Sequence, residues 1–425
     1  MYRLPGAAGY LAATGLFVVL VLAAGGVSMG DLWQAAIPTM AVSHGQLRCM
    51  SAAQLSLPWS IAPVYPLISG SMAAVVHVGT SSPFPHLKGT PTCAVVVAAW
   101  EHWFLVGRVQ YQIVRFAWLV WPVALLGVAT YLRTTDRRNT RWEPAAALLT
   151  AACLPAVACL SSYFHPEGLL AIGPALVALA CVRRDRWALS GVFVALASLS
   201  QQSAWLVALV MFVIVPRDRL ARLFVGFLGA SALVMFPLVV FGSRRALVGL
   251  LGAGFSQTST DTWIGIWNPK GGVLWVASRL APFVVTALVA LWARRRLGTR
   301  VFGAGELAAL VCFALTTRLV FEGALFDYYF MAVAIMLVVL DCARGHLRAL
   351  TIAWLLLVSI AFDPYVSRGA PLLHLSYLPL EQIVVVGVAL FLSLSVLVQK
   401  TSCEATSVRD GMAAAGAREV LRPTP

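Results

Sequence analysis

Long apolar runs alternate along this chain with short clusters of arginine, and that alternation restricts the fold more than any other feature. The clusters are Arg133/Arg137/Arg138/Arg141, Arg183/Arg184/Arg186, Arg217/Arg219/Arg222, Arg294/Arg295/Arg296/Arg300 and Arg344/Arg348. If the chain crosses a bilayer back and forth, every cluster lands on one side, the positive-inside pattern of helical membrane proteins. Several runs reach the roughly 18–20 residues that a spanning helix needs. With 60% hydrophobic and only 11% charged residues over 425 positions, no soluble domain of this length has a comparable balance. The runs are continuous rather than alternating, which excludes a transmembrane β-barrel. The expected fold class is all-α, a polytopic membrane helical bundle.

The net charge of +14 is not a nucleic-acid signal. Most of the Lys and Arg sit in loops of a few residues between spans, where they hold orientation and meet anionic lipid head groups. The opposite face is almost balanced. There Arg48, Lys88, Arg108, Arg115, Arg244, Arg245, Lys270, Arg279, Arg318 and Arg368 stand against Asp31, Glu101, Glu167, Asp261, Glu322, Asp327, Asp363 and Glu381.

A first helix is expected over 8–28, retained rather than cleaved, because the apolar stretch exceeds a usual signal-peptide core. A long first extracytoplasmic loop, 29–108, follows with juxtamembrane helices. Its stretch 61–79 is apolar but broken by Pro63 and Pro66, which suggests a juxtamembrane or re-entrant helix, with a full span as the alternative. Further spans are expected at 110–132, 144–161, 168–182, 187–199, 203–216, 220–241, 272–293, 303–317, 326–341, 348–361 and 380–399. The total is about 12 (10–14). Residues 1–399 form a single integral membrane domain, and the polar, Ala-rich tail 400–425 is expected to be disordered and cytoplasmic. Both termini then lie on the arginine side.

Of the eight cysteines, Cys153, Cys159, Cys181, Cys312 and Cys342 fall in or at the ends of spans and read as small apolar packers; Cys403 lies in the tail. Cys49 and Cys93 share the first outside loop, where either a disulfide or two unpaired thiols fits.

The residues able to carry chemistry collect on the outer side. Asp31 follows the first span, where a carboxylate meets the water–lipid boundary. It suits a general base toward a hydroxyl or a ligand for a divalent cation; its plainer reading is an N-cap for a helix over 32–44. His165 and Glu167 flank Pro166 in a tight loop. They can orient hydroxyls, or Pro166 and Glu167 can simply begin the next helix and complement its dipole. No HxH or HxxxH spacing exists, so no dedicated metal site is expected. Arg279 and Arg318 lie within the outer leaflet and must pair with an acid or a phosphate, the protein candidates being Glu322 and Asp327. Lys270 precedes Gly271-Gly272. Tyr328, Tyr329 and outer tryptophans are either sugar-stacking rings or an interfacial aromatic belt.

A first span, an acid just beyond it, and a long outside loop with Ala62-Pro63-Val64-Tyr65-Pro66-Leu67 resemble the GT-C glycosyltransferases, integral membrane enzymes that use polyprenyl-phosphate sugars. The stretch Tyr163 to Leu169, the run Arg183-Arg184-Asp185-Arg186-Trp187, the turn Gln201-Gln202-Ser203-Ala204 and the segment Arg318…Asp327-Tyr328-Tyr329 are similar to mannosyl- or arabinosyltransferase-like bacterial members. The resemblance covers roughly residues 8–400 in architecture, with short motifs.

It implies transfer of a sugar from a polyprenyl-phosphate donor to a hydroxyl of a glycan or lipid acceptor, on the outer face of the cytoplasmic (inner) membrane. Asp31 would be the base. Arg279, Lys270 or Arg318 would stabilise phosphate charge. His165, Glu167, Gln201 and Gln202 would contact sugar hydroxyls, with Asp327 and Tyr328 in the same outer segment. Family members often carry a paired acid here. In this chain Trp33 stands two residues after Asp31, which favours the base role over metal binding. The alternative is a transporter or flippase for a lipid-linked or anionic substrate; a third reading is a non-catalytic membrane scaffold.

Overall fold

The computed structural model describes residues 7–24, 38–49, 63–77, 117–135, 139–161, 164–241, 273–297, 302–322, 328–361 and 379–399, with Ala36, Cys93 and Val95. Among them there is no strand. The helices are α1 (Ala7–Ala24), α2 (Val64–His77), α3 (Val120–Leu132), α4 (Glu143–Ala151), α5 (Leu154–Leu160), α6 (Pro166–Arg183), α7 (Trp187–Ser200) and α8 (Ala204–Ile214). They continue as α9 (Leu220–Phe241), α10 (Val273–Leu297), α11 (Ala304–Val320), α12 (Tyr329–Ala343), α13 (Ala349–Ala361) and α14 (Pro379–Val398).

Among the described residues, four segments are long and apolar enough to cross a membrane: Ala7–Ala24, Pro166–Arg183, Arg217–Val240 and Ala277–Arg296. The expected continuous helix over 144–161 is corrected to two. It breaks between α4 and α5 with a bend of 55°, and counts as a fifth span only if the bent pair is taken as one. Pro155 supplies no N–H to continue the ladder, and Cys153, the residue before α5, is extended at ψ 103°. Helix α2 has 14 residues and rises about 21 Å, short of a bilayer core. It lies on residues 39–42 instead: Thr39 Oγ1 and Ser69 Oγ are 2.8 Å apart.

Burial separates central helices from peripheral ones. In the apolar window of α6, 78% of residues are buried, against 17% in α1. Helices α3 and α7 flank α6, while α11 packs against α12, α14, α8 and α10. The outer faces of α1, α9 and α10 expose Leu11, Val19, Leu22, Val225, Leu233, Phe236, Leu280, Val284 and Leu288. Rows of large aliphatic side chains facing outward call for an apolar surrounding.

Two crossings are set by glycine. A Cβ on Gly226 of α9 would lie 1.9 Å from Ala188 O, and one on Gly191 of α7 would lie 2.1 Å from Leu223 O. On the other flank of α6, a Cβ on Gly173 would meet Val123 O at 2.5 Å. The backbones touch, as in small-residue helix packing.

The arginine-rich ends are bonded to one another. Arg133 Nη2 and Tyr10 both reach Glu143 Oε1, the former at 2.8 Å. The hydrogen bond to Glu143 raises the Arg133 pKa. Arg294 Nη1 donates to Val213 O at the end of α8 (2.6 Å), and Arg296 Nη1 to Leu397 O at the end of α14 (2.9 Å). Arg183 Nη1 donates to Phe302 O (2.7 Å). Arg294 and Arg296 thus satisfy carbonyls at helix C-termini, whereas Arg183 bonds the segment just before α11. Arg348 clamps the fully buried Asp341 (Nε–Oδ1 2.7 Å) and Leu392 O (2.8 Å).

Cys49 and Cys93 form a disulfide, with Cα atoms 5.1 Å apart. Cys153, Cys159, Cys181, Cys312 and Cys342 are free and buried, as expected of packing residues.

Candidate functional site

At the end opposite the arginine clusters, polar side chains from four helices converge. Helix α6 begins at Pro166, which needs no N–H partner at that position, and Glu167 stands in its first turn. The loop before it is tightly held. His165 N donates to Cys159 O at 2.7 Å and Cys159 Sγ to His165 O at 2.8 Å. Phe164 is buried in the core with φ 46°, a left-handed conformation that costs a bulky residue energy. The strained Phe164 fixes where His165 points.

From His165 the contacts run sideways through the bundle. Its Nδ1 lies 2.6 Å from Glu167 Oε1. Its ring stacks on Tyr328 at 4.1 Å between centroids, and Tyr328 meets Tyr329 edge-on at 4.6 Å. Arg318, near the end of α11, places its guanidinium 4.8 Å from the Tyr329 ring centre. Arg318 Nε donates to Glu322 Oε2 at 3.0 Å, and Arg279 Nη1 from α10 donates to Glu322 Oε1. Glu322 is 5% exposed. Two guanidinium groups from different helices thus share one buried carboxylate.

A cavity of about 20 Å³ opens beside this chain of contacts, lined by Gly168, Gln201, Ser203, Arg318, Tyr328 and Tyr329 among others. That volume accommodates roughly one water. Gln201 follows the last turn of α7 and reaches the cavity, whereas its neighbour Gln202 does not line it.

Of the residues expected at the site, His165, Glu167, Gln201, Arg279, Arg318 and Tyr328 come together at one end of the bundle. Asp31, Lys270 and Asp327 lie outside the described residues, so their positions relative to it are not described. The sequence placed Glu322 as a possible partner for the arginines, and Tyr329 as either a sugar-stacking ring or part of an interfacial aromatic belt. Glu322 is four residues after Arg318, the spacing that brings side chains together on a helix, and that was the available signal.

No protein-family model matches the chain, and no curated protein matches it. Among the described residues no group of three or more His, Cys, Asp or Glu is arranged to hold a metal ion.

The arrangement has two chemically distinct parts. In one, the Glu167 carboxylate orients the His165 imidazole. In the other, along the aromatic bridge, Arg318 and Arg279 share the Glu322 carboxylate. Between them Gln201 offers an amide to a hydroxyl or carbonyl.

Proposed function

We propose that this chain is an integral membrane glycosyltransferase of GT-C type. In this reading about 12 helices cross the cytoplasmic membrane, both termini are cytoplasmic, and the site faces outward. The shorter helices α3, α7, α8 and α12 are spans in this count. Two observations support the sidedness. The arginine-rich ends bond to one another, and the Cys49–Cys93 disulfide belongs to the loop placed on the other, oxidising side.

The observation that carries the functional reading is the convergence of His165–Glu167, Gln201, Tyr328 and Arg318 at the outer end of one bundle. The donor is a polyprenyl-phosphate sugar and the acceptor a hydroxyl of a glycan or lipid. Asp31 takes the acceptor proton as the new glycosidic bond forms at the anomeric carbon and the lipid phosphate departs. Arg318 and Arg279 favour the phosphate charge, together with Lys270. His165, Glu167 and Gln201 hold sugar hydroxyls, and Asp327 and Tyr328 complete the expected contacts; Gln202, which does not line the cavity, has no contact in this scheme. A divalent cation at Asp31 is not needed by this scheme.

The test is transfer assayed with the purified full chain in lipid, using polyprenyl-phosphate sugars as donors. Wild type transfers sugar, and Asp31→Asn loses at least about 100-fold in rate, the lower range for a general base. Full activity of a folded Asp31→Asn protein removes Asp31 from the scheme. Movement of lipid-linked substrate across vesicles without transfer replaces the enzyme by a transporter.

A further inference from the structure

A second, larger concavity lies on the flank of the bundle between α8, α9 and α10. It measures about 850 Å³ and is walled by Trp205, Phe212, Phe224, Phe227 and Phe283, with Arg217 at one end. Trp205 stands at the start of α8 and Arg217 just beyond its end, so the groove runs the length of that helix. The 12 steps from Trp205 to Arg217 span about 18 Å at helical rise, close to the hydrocarbon depth of one leaflet, half of about 30 Å. Phe212 packs edge-on against Phe224 and Phe227 at 6.3 and 5.4 Å, which makes one wall a fixed aromatic surface.

The cationic end is specific. Asp218, the nearest acid in sequence, is engaged by Arg219 Nε at 3.0 Å, and Asp185 by Arg219 Nη2 at 3.2 Å. Among the described residues no carboxylate pairs with Arg217. Arg294 lies at the same end, bonded to Val213 O. An apolar slot one leaflet deep, ending in an exposed guanidinium, matches a chain with an anionic head group. A second copy of this protein would bring the same cation against itself.

We propose that this groove binds one anionic phospholipid from the leaflet at the arginine end, its acyl chain along α8 and its phosphate on Arg217. The inference rests on membrane embedding and not on sugar transfer. Its head-group end is opposite the end that carries His165, Gln201 and Arg318, so it is separate from the candidate site.

Native mass spectrometry of the delipidated full chain in mild detergent tests it, with phosphatidylglycerol and phosphatidylcholine of identical acyl chains as probes. One phosphatidylglycerol is expected to remain bound at collision energies that strip phosphatidylcholine. Arg217→Gln lowers that retention about fivefold, the effect of one basic residue at an anionic lipid. Arg141→Gln, an arginine on the same face but away from the groove, leaves it unchanged. Equal retention of the two lipids, or no change in Arg217→Gln, overturns the proposal. So does a dimer that forms as lipid leaves. A chain that stays folded and monodisperse without detergent overturns membrane embedding itself.

Discussion

Arg318 and Glu322 form an ion pair one helical turn apart, Nε to Oε2 at 3.0 Å, and the other oxygen of that carboxylate is taken by Arg279 from a different helix. One buried acid thus ties the end of α11 to α10. The expectation that an outer-leaflet arginine must find an acid or a phosphate is met twice by the same residue.

Glu322→Gln removes the negative charge and leaves two guanidinium groups facing one another. Breaking a buried ion pair costs about 3–5 kcal/mol. Thermal unfolding in detergent, followed by tryptophan fluorescence, is expected to show a clearly lower midpoint than wild type. A midpoint unchanged within error means the pair is not buried as described.

Gln201 and Gln202 are adjacent, yet only Gln201 lines the cavity. Alanine at Gln201 is expected to reduce sugar transfer about tenfold or more, the effect of losing one hydrogen bond to substrate. Alanine at Gln202 leaves transfer within about twofold. Equal losses at both positions would show that the turn matters as a whole and not through one amide.

Gly226→Val forces side-chain atoms into the space where Ala188 O approaches. Overpacking costs about 1–3 kcal/mol where neighbours can shift, and here the neighbour is backbone. The variant is expected to express poorly and to show greater protease sensitivity between α7 and α9. Gly229→Val, on the same helix where a Cβ meets nothing within 4 Å, is the matched control and behaves as wild type.

The Cys49–Cys93 bond closes a loop with a sequence separation of 44, which the chain-entropy estimate values at about 4 kcal/mol. Alkylation after denaturation is expected to add labels at Cys49 and Cys93 only once a reductant is present. Labelling at both sites without reductant would contradict the bond.

Much of the candidate site was legible because its signals are local. Pro166 and Glu167 behave as helix-start residues wherever they occur, and α6 begins at Pro166. The apolar runs and arginine clusters mark helix ends closely: the stretch expected at 303–317 is α11, Ala304–Val320, and that at 348–361 is α13, Ala349–Ala361. The joint role of Glu322 was not legible, since Arg279 is 43 residues away along the chain. The break at Cys153 was readable from Pro155, but the apolar run around it looked continuous to hydropathy alone. Stacking of His165 on Tyr328 depends on two helix starts far apart in sequence, and no spacing rule reports it.

The sequence by itself determined that the chain is built from apolar helices, where most of them end, and which ends share a side. Those outcomes follow from residue type and short spacing: apolar side chains avoid water wherever they lie, and arginines gather at helix ends where carbonyl oxygens can accept from them. Only the tertiary structure decided that α6 is the buried axis and α1 a peripheral helix, although α1 is the more apolar run of the two. It also decided that Gly226 and Gly173 set the crossings, and that six dispersed polar residues meet at one end. Hydrophobicity cannot separate a helix facing lipid from one facing protein, because both surroundings are apolar; backbone approach and side-chain fit make that choice.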